Sequence, residues 1–98
     1  MNEQQVEAEI QEKGLTAPRV TPELIDSTIA GEQYWVPDGT TLTVCVLSLR
    51  NGFTVTGESA CASSENFNEE LGRKIARDNA RNKIWALEGY ALRNRLTA

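Results

Sequence analysis

The sequence predicts an α+β domain in which an N-terminal helix is followed by an antiparallel β-hairpin and a long C-terminal amphipathic helix. Three observations support this fold class: a capped helix start at Thr21, an Asn-Gly dipeptide between two strand-like runs, and helical periodicity over residues 67–84. Residues 20–98 are expected to form this single domain. Residues 1–19 are interpreted as a polar N-terminal tail or weak helix.

The first helix begins with strong capping signals. Thr21 is a good N-cap because its hydroxyl accepts from a first-turn N–H, and Pro22 suits the first helical position. Val20 and Ile25 occupy the two positions of a hydrophobic staple. Gly31 is available to end the helix.

The runs TLTVCVLSL and TVTGESA, joined by RNGF, predict the β-hairpin. Asn-Gly best tolerates the two positive φ angles of a type I′ turn, so a two-residue loop pairing Arg50 with Phe53 is expected. One face then carries Leu42, Val44, Val46, Phe53 and Val55. The first strand is apolar on both faces, so it should be covered on each side and not left at an open edge. Because two strands alone are marginally stable, either the helices sandwich them or strands of a second copy extend the sheet.

The same register bears on the two cysteines. In a regular ladder Cys45 and Cys61 point to opposite faces and cannot form a disulfide, whereas a bulge at Gly57 would bring them onto one face. Two buried free thiols are favoured, because free cysteine is among the most buried residue types.

The C-terminal helix is expected to start from a cap at Ser63, Ser64 or Asn66. Its small-residue stripe, Gly72, Ala76 and Ala80, lets a backbone come close. We expect this stripe to pack on the hairpin face that carries Phe53 and Val55, which places that face in the core, and contact with a helix of a second copy is the alternative. Beyond Ile84 apolar residues surround the helix on all sides. Either the helix breaks near Trp85, or its end is buried on several sides, as at a subunit contact.

The composition is that of an ordinary soluble domain of 98 residues, with 40% apolar and 24% charged residues. No run is long enough to cross a bilayer, and the acidic N-terminus lacks the features of a signal peptide, so a cytosolic protein is expected. The net charge of −4 is uneven: residues 1–39 carry −6 and residues 40–98 carry +2. This asymmetry favours attraction between the two halves, within one molecule or between molecules.

Candidate binding residues lie on the C-terminal helix. A basic ridge could follow the phosphates of a nucleic acid, although Glu69 and Glu70 are placed to form ion pairs with it four residues on. The ridge consists of Arg73, Lys74, Arg77 and Arg81. Asn79 lies near the apolar face, where a buried amide must bond either to a strand or loop or to a ligand.

Four aromatic residues lie where the periodic patterns end, and these are candidate interface residues: Tyr34, Trp35, Trp85 and Tyr90. The absence of histidine excludes Ser-His and Cys-His couples and histidine metal ligands, and no phosphate-binding glycine loop is present. No catalytic residue, metal site or cofactor is therefore predicted, and the protein is not expected to be an enzyme.

Three segments carry a family resemblance: VTPELIDSTIAGEQY, LTVCVLSLRNGFTVTGESAC and NFNEELGRKIARDNARNKIWALEGYALRNRL. Over about residues 20–96 the chain resembles a family of small, functionally uncharacterised tailed-bacteriophage proteins with members in coliphages and Shigella podoviruses. The resemblance implies a phage or prophage gene product made in the host cytoplasm and carries over no site residues. The family pattern has a proline after the tryptophan, where this chain has Ala86, so one continuous helix is also possible.

These observations favour a small phage accessory protein that acts as a non-enzymatic protein-binding module in the host cytoplasm. The expected partner is an unknown host or phage protein, and the chain is expected to form a homo-oligomer without binding a membrane. The alternative is a module that binds nucleic acid or a nucleotide through the basic ridge.

Overall fold

The computed structural model describes residues 2–15 and 17–98 and confirms the predicted α+β class. The described part of the chain measures 48 × 30 × 17 Å, a thickness that accommodates a sheet and one layer of helix. No helix in these described residues is both long and apolar enough to cross a membrane. In chain order the elements are α1 (Glu3–Glu12), α2 (Pro22–Thr28), β1 (Ile29–Trp35), β2 (Leu42–Leu49), β3 (Thr54–Ala60), a short 3₁₀ helix (Ser64–Asn66) and α3 (Glu69–Thr97).

The sheet contains a strand, β1, that the sequence did not predict. The strand order is β1-β2-β3 with antiparallel neighbours, so β2 lies in the centre, away from both edges. The chain passes from α2 into β1 at Ile29, whose φ of −81° and ψ of 118° are already extended, and Gly31 lies within the strand. The segment Ala-Gly-Glu-Gln has little β propensity, so pairing with β2 is what holds it extended.

The hairpin loop contains three residues, Arg50, Asn51 and Gly52, and the predicted two-residue loop was wrong. Leu49 N–H donates to the Phe53 carbonyl at 2.8 Å, and Gly52 N–H donates to the Leu49 carbonyl at 2.9 Å. Gly52 has a φ of +89°, whereas Asn51 does not adopt a positive φ. This combination is typical of a three-residue hairpin in which one αL glycine closes the loop.

The longer loop shifts the ladder by one residue, and a one-residue shift turns every side chain to the other face. Cys45 pairs with Gly57, and Leu47 pairs with Val55. The inner face, towards α3, therefore carries Thr43, Cys45, Leu47, Leu49, Val55 and Gly57. The predicted core positions Leu42, Val44 and Val46 lie on the opposite face, and Phe53 is exposed.

The hydrophobic core lies between α3 and this inner face. Gly57 sits in a regular ladder without a bulge, at the point where the α3 backbone comes closest. The expectation that the small-residue stripe faces the hairpin is confirmed, because Ala76 and Ala80 are fully buried there. The buried apolar residues are Ile25, Cys45, Leu47, Leu49, Val55, Ala76, Ala80 and Ile84.

Both cysteines are free thiols, as predicted. The shifted register changes the reason why they cannot form a disulfide. Cys61 N–H donates to the Thr41 carbonyl, four residues along β2 from Cys45, so the thiols are separated by about 13 Å along the sheet instead of lying on opposite faces. Cys45 is fully buried, but Cys61 is only half-buried, with its thiol donating to the Ser63 carbonyl. The prediction of two buried thiols is wrong for Cys61.

Helix α3 is continuous from Glu69 to Thr97 and does not break near Trp85. Its N-cap is Asn68, whose side chain accepts from Leu71 N–H at 2.9 Å. The predicted caps lie upstream, in or next to the short 3₁₀ helix. At 1.5 Å per residue α3 is about 43 Å long, against about 26 Å for β2, so its C-terminal turns extend past the sheet.

The N-terminal segment forms a helix and not a tail. Asn2 begins α1 with a capping box, in which its side chain accepts from Gln5 N–H at 2.8 Å. Arg19 holds α1 to the chain that follows through two hydrogen bonds to the Glu7 carboxylate, of 2.7 and 2.5 Å. In α2 the predicted cap is confirmed, since the Thr21 hydroxyl accepts from Leu24 N–H at 3.1 Å.

Candidate functional site

The N-terminal half of the basic ridge lies beside β1. Arg77 donates to Glu32 of β1 at 2.6 Å, and this hydrogen bond raises the pKa of the Arg77 guanidinium. The Arg73 guanidinium lies over the Tyr34 ring, 5.5 Å from its centroid, and also pairs with Glu69 at 2.7 Å. This part of the ridge is therefore occupied by contacts with the sheet and with its own helix.

The last member of the ridge, Arg81, binds two elements of the N-terminal half. It donates to Glu3 of α1 at 2.5 Å and to Asp26 of α2 at 2.8 Å, and its side chain is only 12% exposed. These two hydrogen bonds raise the pKa of the Arg81 guanidinium well above its ordinary value.

All four ridge residues lie within ion-pairing distance of a carboxylate, since Lys74 also pairs with Glu70 at 3.6 Å. The expected attraction between the acidic and basic halves is confirmed within one molecule. Arg81 is the ridge residue that turns furthest from water, because its guanidinium binds the carboxylates of α1 and α2. A phosphate reaching Arg77 or Arg81 has to displace a carboxylate.

Asn79 has a structural partner. Its side-chain amide donates to the Glu58 carbonyl at 2.8 Å, and the residue is exposed instead of buried in the apolar face. Glu58 belongs to the edge strand β3, where an unpaired carbonyl could accept a hydrogen bond from a strand of another chain. Asn79 therefore ties α3 to this edge and occupies one of its acceptors.

The four candidate interface aromatics lie in different environments. Tyr34 is half-buried on the inner face of β1, where burial raises the pKa of its hydroxyl. Trp85 packs against the core from α3. Trp35 and Tyr90 are 64% and 73% exposed, on the sheet and on α3 respectively. The structure does not bring these four side chains together.

The outer side of the sheet, facing away from α3, carries an apolar patch, here called the Trp35 patch: Trp35, Leu42, Val44 and Val46. Trp35 pairs with Val44 across β1 and β2, so the two side chains are neighbours on this side. No helix among the described residues packs on this side. Polar neighbours surround the patch at Gln33, Thr56 and Glu58.

A cavity of about 140 Å³ lies at the N-terminal end of α3, lined by Thr43, Cys61, Asn68 and Gly72 among others. The Thr43 hydroxyl is fully buried and has no hydrogen-bond partner within the described residues. The space is that of between four and five water molecules at roughly 30 Å³ each, so a small cluster of ordered water suits it. Burial raises the pKa of the nearby Cys45 thiol, which disfavours a thiolate there.

Sequence reasoning missed the Trp35 patch for two reasons. It placed Val44 and Val46 in the core through the shorter loop, and it did not recognise β1 as a strand. A signal was present, because β2 is apolar on both faces although α3 covers only one of them. In residues 2–15 and 17–98 no group of three His, Cys, Asp or Glu side chains could hold a metal ion.

The model of one protein family matches residues 20–96, and its description is phage protein (N4 Gp49/phage Sf6 gene 66) family. No curated protein and no solved structure matches the chain. Because the match covers most of the sequence, the chain belongs to this phage protein family. This membership confirms the resemblance found in the sequence.

Proposed function

We propose that this phage protein is a non-enzymatic accessory protein that binds a host or phage protein in the host cytoplasm through the Trp35 patch. The observation that carries the proposal is a 64%-exposed tryptophan beside the valine and leucine side chains of a central strand. Central strands with apolar residues on both faces are typical of sheets covered on both sides. Here α3 covers one side, and the partner covers the other.

The patch has the composition of a protein-binding surface. Such surfaces have an apolar centre, often built around tryptophan, and a polar rim that excludes water. Trp35 and Val44 form the centre, and Gln33, Thr56 and Glu58 supply the rim. The partner that fits is an amphipathic helix laid across the strands by its apolar side, as α3 lies on the inner face.

The absence of an enzyme activity is part of this proposal. Cys45 is buried with a raised pKa, so it is a poor nucleophile, and the chain has no histidine to activate a thiol or hydroxyl. Two free cysteines fit a reducing cytoplasm. No observation favours the alternative of nucleic-acid binding, because each ridge residue is near a carboxylate.

Site-specific photocrosslinking in phage-infected cells tests the proposal. A benzophenone amino acid replaces Thr56, on the patch rim, or Lys83, an exposed residue of α3 that serves as the control position. We expect a specific crosslinked protein from position 56 and not from position 83. Trp35→Ser should abolish this crosslink, because it removes the centre of the patch.

Tyr90→Ser is the matched control variant, since Tyr90 is a similarly exposed aromatic residue far from the patch in sequence. It should leave the crosslink from position 56 unchanged. If position 56 captures only another copy of the chain, or if the captured protein is indifferent to Trp35→Ser, the Trp35 patch does not bind a heterologous partner.

A further inference from the structure

The C-terminal turns of α3 extend beyond the core, and we propose that they pair antiparallel with the same turns of a second copy of this chain. Ile84 is the last buried residue of α3, and the helix continues to Thr97. This segment, residues 85–97, is called the α3 extension; its first residue, Trp85, still packs against the edge of the core, and the turns after it project beyond. Its pairing is independent of the Trp35 patch, which lies on the sheet.

The α3 extension carries an apolar stripe at coiled-coil spacing. Trp85, Gly89, Leu92 and Leu96 are separated by four, three and four residues, and at 100° per residue they fall within an arc of about 60°. Leu96 is 55% exposed. A Cβ added at Gly89 would meet no atom within 4 Å, so the stripe faces open space there.

The charged residues beside the stripe, Glu88 and Arg95, can form two equivalent ion pairs between two copies. Glu88 and Arg95 each precede a stripe residue, Gly89 and Leu96, so both lie on the same flank, seven residues apart. In an antiparallel pair, residues of this flank face the same flank of the partner helix. Glu88 of each copy then faces Arg95 of the other, which gives two equivalent ion pairs.

The same register fits the apolar residues together. With the two-fold axis midway between residues 90 and 91, Gly89 faces Leu92 of the second copy, and Trp85 faces Leu96 of the second copy. A large side chain thus meets a small residue in the inner layers, and the two folded bodies lie at opposite ends. A parallel pair would instead bring the two Trp85 side chains, and the cores on which they pack, to the same end.

A groove beside Trp85 provides room for the second copy. It has a volume of about 240 Å³ and lies against α1, with Val6, Ile10 and Val20 among its lining residues. In the antiparallel register Leu96 of the second copy reaches Trp85 at this groove. The pairing therefore also covers part of the apolar side of α1.

The first test is the solution mass over a range of concentrations, measured by sedimentation or light scattering. The four layers of stripe residues bury less surface than the about 1,600 Å² of a standard interface. We therefore expect a dimer Kd between micromolar and millimolar. Leu92→Glu should leave a monomer with wild-type helix content. Tyr90→Glu, about 130° around the helix from the stripe, should leave the dimer unchanged.

A charge swap separates a specific contact from general destabilisation. Glu88→Arg places like charges opposite each other twice and should raise the dimer Kd about tenfold. Adding Arg95→Glu should restore most of the affinity. Crosslinking defines direction: in a Cys61→Ser background, Gly89→Cys should form disulfides with Leu92→Cys in a mixture more readily than with itself.

The proposal is wrong if the wild-type chain stays monomeric at millimolar concentration. It is also wrong if the dimer survives Leu92→Glu but is lost in Trp35→Ser, because the sheet would then be the contact. If the double variant Glu88→Arg/Arg95→Glu did not recover the affinity, the antiparallel register would be ruled out. Preferential self-linking of the Gly89→Cys chain would establish a parallel pair in its place.

Discussion

Replacing Gly57 by alanine tests how closely α3 packs against the sheet. A Cβ built on Gly57 lies 2.8 Å from the Ala80 Cα and closer still to the Ala80 nitrogen and the Ala76 carbonyl oxygen. Ordinary van der Waals contact starts at 3.4 Å, and all three neighbours are backbone atoms that cannot rotate away. The methyl group can be accommodated only if α3 moves away from β3.

The size of the effect follows from this displacement. A helix that retreats by more than half an ångström loses about a quarter to a half of the dispersion energy of each contact it loosens. Overpacking of this kind costs about 1–3 kcal/mol or more, and the reduced entropy of the unfolded chain offsets about 0.4–1 kcal/mol. We expect a net destabilisation of about 2 kcal/mol, which lowers Tm by about 8–16 °C for a domain of this size.

Thermal and urea unfolding followed by circular dichroism measure this change. Gly31→Ala is the matched control, because Gly31 also lies in a strand but has no atom within 4 Å of an added Cβ. Its free energy of unfolding should stay within about 1 kcal/mol of wild type. A Gly57→Ala protein as stable as wild type would refute the close packing of α3 on β3, and with it the observed register.

Four further predictions concern thiols and charges. Cys61 should react with a thiol reagent in the folded protein, whereas Cys45 should react only on unfolding. Because burial raises the pKa of Cys45, the unfolded chain loses this proton first, and stability should fall as pH rises above about 8.5. Arg81→Met should cost about 1–2 kcal/mol in urea unfolding and speed hydrogen exchange in α1, which loses its contact to Arg81. The hydrogen bonds from Arg19 lower the pKa of Glu7, so the stability that Glu7 contributes should be lost as pH falls below about 4.3. This loss of stability should be smaller in Arg19→Gln.

The sequence was a reliable guide where the determining interactions are local. The cap at Thr21 depends on a side chain and a backbone group three residues apart, and it is present as predicted. The small stripe around Ala76 and Ala80 repeats with the period of a helix and faces the sheet as expected. These features need no knowledge of the rest of the chain.

The register of the hairpin could not be fixed in the same way. Asn51-Gly52 suits a two-residue type I′ turn, and the same glycine also closes a three-residue loop. The alternation of apolar and polar side chains along a strand normally decides between such registers. Because β2 is apolar on both faces, it is compatible with either register. The choice depends on the fit of α3 over Gly57, a contact with Ala76 and Ala80, which lie about twenty positions further along the chain.

The same ambiguity hid the candidate site. The sequence predicted apolar residues on both faces of β2, but it placed Val44 on the face that α3 covers, and the missing β1 removed the strand that places Trp35 beside Val44. The charged residues were predicted better, since the acidic and basic halves do attract each other. Their partners, such as Asp26 for Arg81, depend on the packing of α2 against α3 and could not be identified from spacing.

The two proposed surfaces lie at opposite ends of the molecule, and this arrangement has a consequence for binding. Trp35 and Val44 lie towards the end of the sheet where Gly72, near the start of α3, approaches Thr43, whereas the α3 extension projects past the other end. A dimer joined through the extensions would therefore present two Trp35 patches facing away from each other. Such a dimer binds a partner displayed at high density more tightly than one patch can, through effective concentration alone. Leu92→Glu should then reduce retention on a dense partner surface and leave the affinity for a single soluble partner unchanged. If both affinities fell together, the extension would contribute to the binding site itself.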